Sequence, residues 1–524
     1  MYERKVLVGR SMNKIFRLVY SNKFFAITTL LIQLGFILVF VFSMSMNTRY
    51  FLLASNLIST MLIIFEVNRH EESAFKITWI MLIAVIPAFG WFFYVYTHTG
   101  VISRSLKDAQ AAALRSVNRF RRDDSDIIKR MEADGCSASF AKFLSHTGSG
   151  SVFANSKIKY YPLGDDMLVD ILDSLEAARK FIFLEFFIIN HSSYMWHEIE
   201  RVLQKKAAEG VKVRVMYDGM GCVGITSKDF DKHLERHGIE CRIFSPVQPL
   251  LSTYQNNRDH RKIIVVDGKT AFSGGINLAD EYINKIDRFG HWKDTGIRIC
   301  GDGASGYTQM FLTMWYTVSE ADDDNEMKEY IDAQLGSVAS DAGGYVAPFC
   351  DTPLDSIAAG RIGYTDILNN ARQYVHIMTP YFAIDDMIYE AMRYAVTRGV
   401  DVKLIMPGVP DKKIPYCLAR SYYRDLFDIG VEVYEYVPGF VHAKTTVSDN
   451  CRAIVGTVNY DYRSLYLHYE CASYMENVPA IADMERDMID TLSKCRHITI
   501  TEYKNYPWYY RFTGRVLRLI ATMI

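Results

Sequence analysis

The sequence predicts an α/β protein in which one structural unit occurs twice. From about residue 158, short apolar strands alternate with amphipathic helices, which is the pattern of an α/β domain. The segments GVKVRVMYDG and GIECRIFSP of the first half recur as GVDVKLIMPG and GVEVYEYVPG in the second. Each pair precedes a segment with the spacing HxKxxxxD, which begins at His260 and again at His442. Such internal similarity indicates a duplication.

The elements of the two halves follow the same order. A helix, a buried strand, a second helix that ends at a glycine, and a second strand are predicted in each half. In the first half they occupy residues 167–178, 181–189, 197–208 and 211–217. In the second half they occupy residues 367–372, 374–378, 387–398 and 400–406.

Length and composition exclude several classes of protein. A chain of 524 residues exceeds what one hydrophobic core usually organises, so at least two domains are expected. A formal net charge of −1 argues against a protein that mainly coats nucleic acid. The nine cysteines are scattered and never form a CxxC pair, which argues against a disulfide scaffold or a zinc knuckle and favours a reduced compartment.

The first hundred residues predict two or three transmembrane helices. A basic start leads into an apolar run over residues 24–46, which is long enough to span a bilayer and too long for a cleaved signal peptide. Two further runs follow at 50–65 and 75–96. The run at 50–65 is interrupted by four polar residues, namely Ser55, Asn56, Ser59 and Thr60.

The orientation of these helices remains open at this point. Three spans from a basic, inside-facing N-terminus would place the rest of the chain outside the cell. Yet the next segment is also basic, and it reads either as a patch for anionic headgroups of the cytoplasmic leaflet or as a solvated helix face. Its cations are Arg104, Lys107, Arg115, Arg119, Arg121, Arg122, Lys129 and Arg130. We expect a multi-pass protein of a bacterial cell membrane with its catalytic domains on the cytoplasmic face. This orientation requires either that one of the three apolar runs does not cross the membrane or that the N-terminus lies outside the cell.

Composition also divides the rest of the chain. An acidic stretch that contains glycine, serine and alanine predicts a linker between the two halves. The predicted division is a membrane region at 1–100, a basic juxtamembrane linker at 101–157, a first domain at 158–320, an acidic linker at 321–344, a second domain at 345–492 and an amphipathic C-terminal segment at 493–524.

The repeated HxK spacing predicts a phosphoryl-transfer site. Residues two apart on an extended segment point to the same side, so an imidazole and an ammonium can face one phosphate. Lysines and amide donors stabilise the charge that spreads over the phosphoryl oxygens during transfer. Such a site needs no metal and no cofactor, and Asp322 to Asp324 form no credible cation cage. The residues at matched offsets are His260, Lys262, Gly274 and Asn277 in the first copy and His442, Lys444, Gly456 and Asn459 in the second, and Gly275 adjoins Gly274.

Two histidines on one phosphate suggest a division of labour. One attacks phosphorus as a neutral imidazole, and the other, protonated, donates its proton to the leaving alkoxide. A nucleophilic imidazole works best with its far nitrogen held by a carboxylate, for which Asp294 and Glu470 are the candidates. Asp267 and Asp449 complete the two motifs. Their position on the turn after a strand predicts a structural role rather than proton transfer.

These motifs resemble the phospholipase D superfamily, in which HxKxxxxD is followed by GGxN or GTxN. The chain is similar, more narrowly, to the bacterial cardiolipin synthase family, whose blocks occur in the same order. They are NNRDHRKIIVVDGKTAFSGGINLADEY, GHWKDTGIRI, TPYFAIDDM and HAKTTVSDNCRAIVGTVNYDYRSLYLHYE. Asp259 and His468 stand where asparagine is common, and an extra apolar segment precedes the usual pair.

The resemblance implies two phospholipase D-like α/β/α domains related by pseudo-twofold symmetry, which share one site. It implies transfer of a phosphatidyl group from one phosphatidylglycerol to another, with His260 as the nucleophile and His442 as the acid and base. If His260 attacks, replacement of Asp294 is expected to impair the phosphatidyl-enzyme more than replacement of Glu470. The expected partners are phosphatidylglycerol and anionic membrane lipids, with no nucleic acid.

Three alternatives remain open. A hydrolase would pass the phosphatidyl group to water, and another phosphatidyltransferase would use a different headgroup, because acceptor choice depends on pocket shape and water exclusion. A membrane-anchored nuclease would need a basic groove with stacking platforms. The C-terminal segment 508–524 carries arginines beside apolar residues, as an interfacial helix does, although a helix docked on the globular part has the same pattern.

Overall fold

The computed structural model of the chain describes residues 46–98, 101–245, 256–319, 324–332 and 343–523. The apolar run predicted at 24–46 lies outside these residues, apart from its last position. The described chain divides into two compact units, of which the first contains the N-terminal helices and the second contains the rest of the chain from Ser103 onward, apart from the stretch 247–256.

Three helices lie in the described residues of the N-terminal unit. They are α1 (Met46–Val67), α2 (Ser73–Val85) and α3 (Pro87–His98). Among the described residues, only the helix over 50–67 is long and apolar enough to cross a membrane. The run at 75–96 does not form one span, because Pro87 forces the preceding Ile86 out of helical conformation (φ −131°, ψ 74°). The thirteen residues of α2 rise only about 20 Å, which is short of a bilayer core.

The basic segment after the N-terminal unit is folded, so the predicted juxtamembrane linker is corrected. It contains α4 (Val101–Asn118), α5 (Ser125–Ala133) and α6 (Ser139–Thr147). Phe140 of α6 is buried against Phe349 and Tyr474 of the second half. Arg121 donates to Ser151 and to the Gly150 carbonyl rather than facing solvent. Part of the basic charge therefore serves packing and is not available to lipid headgroups.

The first half forms a seven-stranded mixed sheet with helices around it. Its strands lie in the order β1-β8-β6-β5-β2-β3-β4. Its elements are β1 (Ser156–Tyr161), α7 (Gly164–Glu176), β2 (Phe181–Phe186), α8 (Tyr194–Ala208), β3 (Lys212–Asp218), α9 (Phe230–Arg236), β4 (Glu240–Phe244), β5 (Lys262–Val266), β6 (Thr270–Gly274), β7 (His291–Lys293), β8 (Gly296–Gly301), α10 (Ala304–Val318) and α11 (Asp324–Asp332). The predicted helices and strands of this half are present, with bounds displaced by up to three residues.

The predicted acidic linker contains helix α11, which corrects its interpretation as a simple linker. Met327, Tyr330 and Ile331 on this helix are buried in the hydrophobic core that lies between the two sheets. Two acidic residues of α11, Asp324 and Asp332, approach Arg119 and Arg122, while Glu326 and Glu329 pair with Lys212 and Lys180.

The second half repeats the first with one added edge strand. Its sheet has the order β9-β18-β16-β15-β10-β12-β13-β19, which matches the first sheet strand for strand until β19. Its elements are β9 (Tyr345–Asp351), α12 (Ala359–Asn370), β10 (Tyr374–Met378), β11 (Phe382–Ala383), α13 (Asp386–Thr397), β12 (Asp401–Pro407), α14 (Lys413–Ser421), α15 (Tyr423–Ile429), β13 (Glu432–Tyr436), β14 (Gly439–Val441), β15 (Thr445–Ser448), β16 (Arg452–Gly456), β17 (Tyr460–Asp461), α16 (Tyr462–Tyr466), β18 (Glu470–Glu476), α17 (Ile481–Ser493), β19 (Cys495–Ile498), α18 (Ile500–Asn505) and α19 (Trp508–Arg518).

Strand directions bring the two HxK segments to equivalent edges. The parallel strands β2, β3 and β4 end beside the start of β5, because Phe186 pairs with Lys262. In the second sheet β10, β12 and β13 end beside the start of β15, because Met378 pairs with Thr445. We call this common end of both sheets the active-site edge. A parallel pair of short strands, β7 with β14, joins the two halves there.

Candidate active site

His260 lies at the active-site edge, immediately before β5, and is almost fully buried. Its backbone N–H donates to the Tyr469 carbonyl at 2.9 Å, which ties it to the second half. Its Nδ1 lies 2.9 Å from Oε1 and 3.0 Å from Oε2 of Glu470, the first residue of β18. The hydroxyl of Thr457 also donates to Glu470, so the carboxylate is held from two directions.

His442 has the equivalent position before β15. Its Nδ1 lies 2.6 Å from Oδ2 of Asp294, which directly follows β7 in the first half. The carboxylates are therefore exchanged between the halves, and each imidazole is held by a residue of the other. The expectation that Asp294 serves His260 is wrong, because the chain after β7 runs alongside β14 and leads Asp294 to His442.

The hydrogen bonds fix which nitrogen of each imidazole reacts. A carboxylate at Nδ1 holds the proton there, which leaves the lone pair on Nε2. For His442, this Nε2 lies 3.1 Å from Nζ of Lys444. Burial lowers the pKa of His260 well below its usual value, and the attraction of Glu470 does not offset this. Burial, together with the charge of Lys444, lowers the pKa of His442 to about 4. Burial alone would raise the pKa of Glu470, but His260 and His468 outweigh it and the pKa is lowered.

The two lysines add positive charge to the same buried site. The Nζ of Lys262 donates to the His260 carbonyl at 2.6 Å, and the Nζ of Lys444 contacts the His442 carbonyl and lies about 3 Å from its ring. Burial lowers the pKa of Lys262 to about 8 and that of Lys444 to about 7. An anion that enters the site would relieve this penalty by pairing with both ammonium groups.

The motif glycines lie where a side chain would collide with neighbouring groups of the protein. In the structure, a Cβ on Gly275 would lie 2.0 Å from Oδ1 of Asp294, and one on Gly456 would lie 2.4 Å from the Ala472 Cα. Gly275 therefore makes room for the carboxylate that holds His442, and Gly456 makes room for the neighbouring strand β18.

The motif asparagines are partly engaged in local structure. The Oδ1 of Asn277 accepts from the Ile188 N–H, and its Nδ2 donates to the Tyr282 hydroxyl at 2.7 Å. The Nδ2 of Asn459 donates to the Ser464 hydroxyl at 3.0 Å. Each amide nitrogen has a second N–H, and donation to a phosphate oxygen stays a prediction that would use this remaining proton.

Asp267 and Asp449 lie at the opposite end of the strands, seven residues or roughly 23 Å of extended chain after the histidines. Both have left-handed backbone conformations, with φ of 51° and 54°. Asp267 accepts from the N–H groups of residues 179, 180 and 181, and Asp449 accepts from those of residues 372, 373 and 374. Although they belong to the motifs, they take no part in proton transfer and instead anchor the start of β2 and β10.

Comparison with known proteins identifies the family. Residues 171–288 and 364–491 match the family described as "Cardiolipin synthase, PLD-like domain". A protein of Alkalihalophilus pseudofirmus named cardiolipin synthase is 31% identical over 470 residues, which cover 88% of this chain and 91% of the relative. The chain belongs to the cardiolipin synthase family.

Two further comparisons describe the similarity of the whole chain and of the fold. A Streptococcus mutans protein that carries the name "Uncharacterized protein" is 42% identical and covers 88% of this chain and 99% of the relative. The crystal structure of phosphatidylserine synthase from Haemophilus influenzae is similar with a TM-score of 0.54 at 14% identity, covering 70% of this chain and 95% of that one. At this identity the likeness concerns the fold alone, and it agrees with the predicted duplicated α/β architecture.

The aromatic rings around the imidazoles were not among the site residues predicted from the sequence. Tyr282 and Trp292 lie with ring centroids 5.4 Å from His442, and Phe440 lies 5.8 Å from it. Phe187 packs edge-on against His260 at 5.1 Å. They exclude water from the reacting nitrogens, which matters for transfer to an alcohol. Tyr282 and Trp292 lie within the sequence blocks that follow the first HxK segment. This position in the sequence could have identified them as site residues.

His468 is the other neighbour that sequence reasoning left without a role. Its Nδ1 is 3.4 Å from Oε1 of Glu470, and its ring centroid lies 5.4 Å from that of His260. These three residues offer ligand atoms within 4.8 Å of one another, and they are the one such group among the described residues. A dication there would face the Lys262 ammonium and compete with the His260–Glu470 hydrogen bond. The chemistry of the group therefore fits a hydrogen-bonded cluster better than a metal site.

Proposed function

We propose that the protein synthesises cardiolipin by transferring a phosphatidyl group from one phosphatidylglycerol to another, with release of glycerol. One observation carries the proposal most directly: two neutral imidazoles, each held by a carboxylate at Nδ1, lie in one buried site with two lysines, and Nζ of Lys444 lies 3.1 Å from Nε2 of His442. A nucleophile and a separate acid are what a two-step phosphatidyl transfer requires.

In the first step, Nε2 of His260 attacks the phosphorus of the donor lipid. The bond from phosphorus to the glycerol headgroup oxygen breaks, and that oxygen takes a proton from Nε2 of His442. The substrate phosphate supplies the negative charge that raises the pKa of His442 from its low value in the empty site. Glu470 remains ionised and balances the positive charge on the phosphorylated imidazole of His260. Lys444, which lies against His442, makes its imidazolium a stronger acid.

In the second step, the acceptor lipid completes the exchange. The terminal hydroxyl of its glycerol gives a proton to Nε2 of His442 and attacks phosphorus, the P–N bond to His260 breaks, and cardiolipin leaves. One phosphodiester replaces another of similar energy, so the chemistry balances without a nucleotide. Asp294 supports this step by holding the imidazolium of His442.

Incubation of the purified protein with phosphatidylglycerol tests the activity. Cardiolipin with equimolar glycerol is expected, phosphatidic acid would favour the hydrolase, and unchanged lipid would refute the proposal. A His442→Asn variant should accumulate lipid mass on His260, detectable by peptide mass spectrometry. His237→Asn, which changes an exposed histidine on α9, is the matched control and should turn over normally. If lipid mass appeared on His442 in a His260→Asn variant and none appeared on His260 in the His442→Asn variant, His442 would be the nucleophile and His260 the acid.

We further propose that α1 spans the membrane and that the catalytic unit is on the cytoplasmic face of a multi-pass protein. The window 50–67 has a mean hydropathy of 1.8, and only 17% of it is buried, which supports contact with lipid. The native Cys495 is a poor reporter of sidedness, because burial raises its pKa to about 12. A Val169→Cys variant offers an exposed thiol on α7 instead. Protection from an impermeant maleimide in intact cells is expected, and labelling would overturn the orientation.

A further inference from the structure

The C-terminal helix α19 docks on the second domain through one narrow face. Gly514 is buried there, and a Cβ at this position would lie 2.6 Å from the Cys417 carbonyl of α14. Arg518 donates to Ser421 and pairs with Asp425, while its guanidinium lies 4.0 Å from the ring of Tyr422. The helix is therefore held firmly, and its remaining surface is presented in a fixed direction.

The opposite face of α19 is an exposed apolar stripe. With 3.6 residues per turn, positions 508, 512, 516, 519 and 523 share one side, and Gly514 lies on the other. Trp508 is 70% exposed and Phe512 is 62% exposed. Soluble surfaces seldom carry a contiguous apolar patch of this kind without a partner. The exposed apolar residues are Trp508, Tyr509, Tyr510, Phe512, Val516, Leu519, Ile520 and Met523.

Positive charge flanks this stripe. Arg511 and Arg515 lie on the side of α19 that adjoins the apolar residues, and residues 508–523 include no aspartate or glutamate. In the described part of the chain neither arginine has a carboxylate within ion-pair distance, whereas Arg518 on the docked face does. Unpaired arginines beside tryptophan and phenylalanine are the composition of a helix that lies in a membrane interface.

Both ends of this C-terminal segment are tied to the active-site edge. Helix α14, on which α19 packs, begins at Lys413, five residues after β12 ends at that edge. The last turn, Ala521–Met523, packs against α16, where Arg463 donates to the Met523 carbonyl at 2.9 Å. Helix α16 follows Asn459 after only two residues.

The loop after β12 extends the same surface. Lys412 and Lys413 are exposed and have no carboxylate partner among the residues that the structure describes, and Ile414 is exposed beside them. Lys412 lies over the ring of Tyr381, in the loop that follows β10 at the same edge. The apolar stripe and these lysines therefore border the same half of the active site.

We propose that α19, together with the loop at residues 409–414, is an interfacial docking surface that seats the active-site edge on a bilayer containing anionic lipid. Charge complementarity selects this occupant, because unpaired cations flank the apolar stripe. This inference rests on the proposed function, in which the headgroup of a lipid substrate must reach the buried imidazoles. Docking at this surface means that the lipid moves only a short distance out of the bilayer.

Hydrogen exchange of the full chain in lipid nanodiscs tests the docking without requiring turnover. In discs of phosphatidylserine and phosphatidylcholine, the amides of residues 508–519 should exchange at least about tenfold more slowly than in detergent micelles, since two arginines and the apolar stripe all favour the interface. Discs of phosphatidylcholine alone should give less protection. Equal protection in both discs, or none in either, would overturn the proposal. Protection in micelles that rises with protein concentration would assign the face to a second copy of the chain.

Matched variants separate docking from catalysis. The double variant Phe512→Ser with Val516→Ser should lose the protection and should turn over phosphatidylglycerol in vesicles at least about tenfold more slowly. It should act normally on a short-chain phosphatidylglycerol dissolved as monomers. The control, Val169→Ser with Ile489→Ser, removes side chains that are 60% and 57% exposed elsewhere and should match wild type in both assays. If the double variant matched wild type on vesicles, docking would be refuted. If wild type failed on both substrates, the proposed function would fail while the exchange result would still stand.

Discussion

Replacement of Glu470 by glutamine separates the two chemical steps. Glu470 lies 2.9 Å from Nδ1 of His260 in a fully buried pair, so glutamine keeps the shape and removes the charge. Truncation of one partner of a buried, hydrogen-bonded charge pair costs about 2–5 kcal/mol. At 1.36 kcal/mol per factor of ten, formation of the phosphatidyl-histidine should slow by roughly 30- to 5000-fold.

A substrate with a good leaving group makes this loss visible. Phosphatidyl-p-nitrophenol needs no acid to release its phenolate, so its burst reports attack by the nucleophile alone. Glu470→Gln should abolish the burst. Asp294→Asn weakens only the hold on His442, so it should keep the burst and slow the later transfer to an alcohol. If Asp294→Asn lost the burst while Glu470→Gln kept it, His442 would be the nucleophile and the reasoning would be refuted.

Four further predictions follow from buried groups. Burial lowers the pKa of Lys444 from 10.5 to about 7, so its ammonium group destabilises the folded protein. This destabilisation is complete below pH 7 and disappears as the pH rises toward 10.5. Lys444→Met should therefore raise the unfolding free energy at pH 6, measured by thermal melts, by at most about 5 kcal/mol while it abolishes turnover. The kcat/KM of wild type should fall above about pH 7–8, where Lys444 and then Lys262 lose their protons; a flat profile to pH 10 would contradict the lysine assignment. Asp267→Ala removes the acceptor of three backbone N–H groups and should destabilise the fold by about 2–4 kcal/mol, yet the folded fraction should keep its specific activity. Gly275→Ala should stop transfer with the fold retained, because the added methyl group would displace Asp294. The control is Gly210→Ala, whose methyl group would meet no atom within 4 Å; it should cost only about 1 kcal/mol of stability and leave activity unchanged.

The sequence predicted the fold well where local chemistry repeats. The glycines at 210 and 399 end helices in both halves, and the strands after them lie in equivalent places in the two sheets. It failed where the outcome depends on contacts between distant segments. Helix α11 was missed because its three buried residues acquire partners only in the core between the sheets. The break at Pro87, by contrast, was readable from the sequence, since proline disfavours helix at the residue before it.

For the site, the sequence supplied the reacting groups and both carboxylates, but not which carboxylate holds which imidazole. The offsets shared by His260 and His442 identify two equivalent histidines. They contain no information about which carboxylate approaches which ring, because that depends on how β7 pairs with β14 across the two halves. The role of Gly275 was likewise hidden, since the atom that requires the space belongs to Asp294, nineteen residues farther along the chain.

The exchanged carboxylates also explain why one half of the chain cannot be a working enzyme. A first half alone would retain His260 and Lys262 but lack Glu470, and the Asp294 that it keeps belongs to a histidine it does not have. Arg261 adds to this dependence, because its buried guanidinium donates to the carbonyls of Glu470 and Asp351 in the second half. Without those acceptors Arg261 would keep Glu185 and the Met310 carbonyl but lose two of its hydrogen bonds. Each half thus needs the other for its chemistry and for burial of its charges, and two co-expressed halves should be active only as a stable complex.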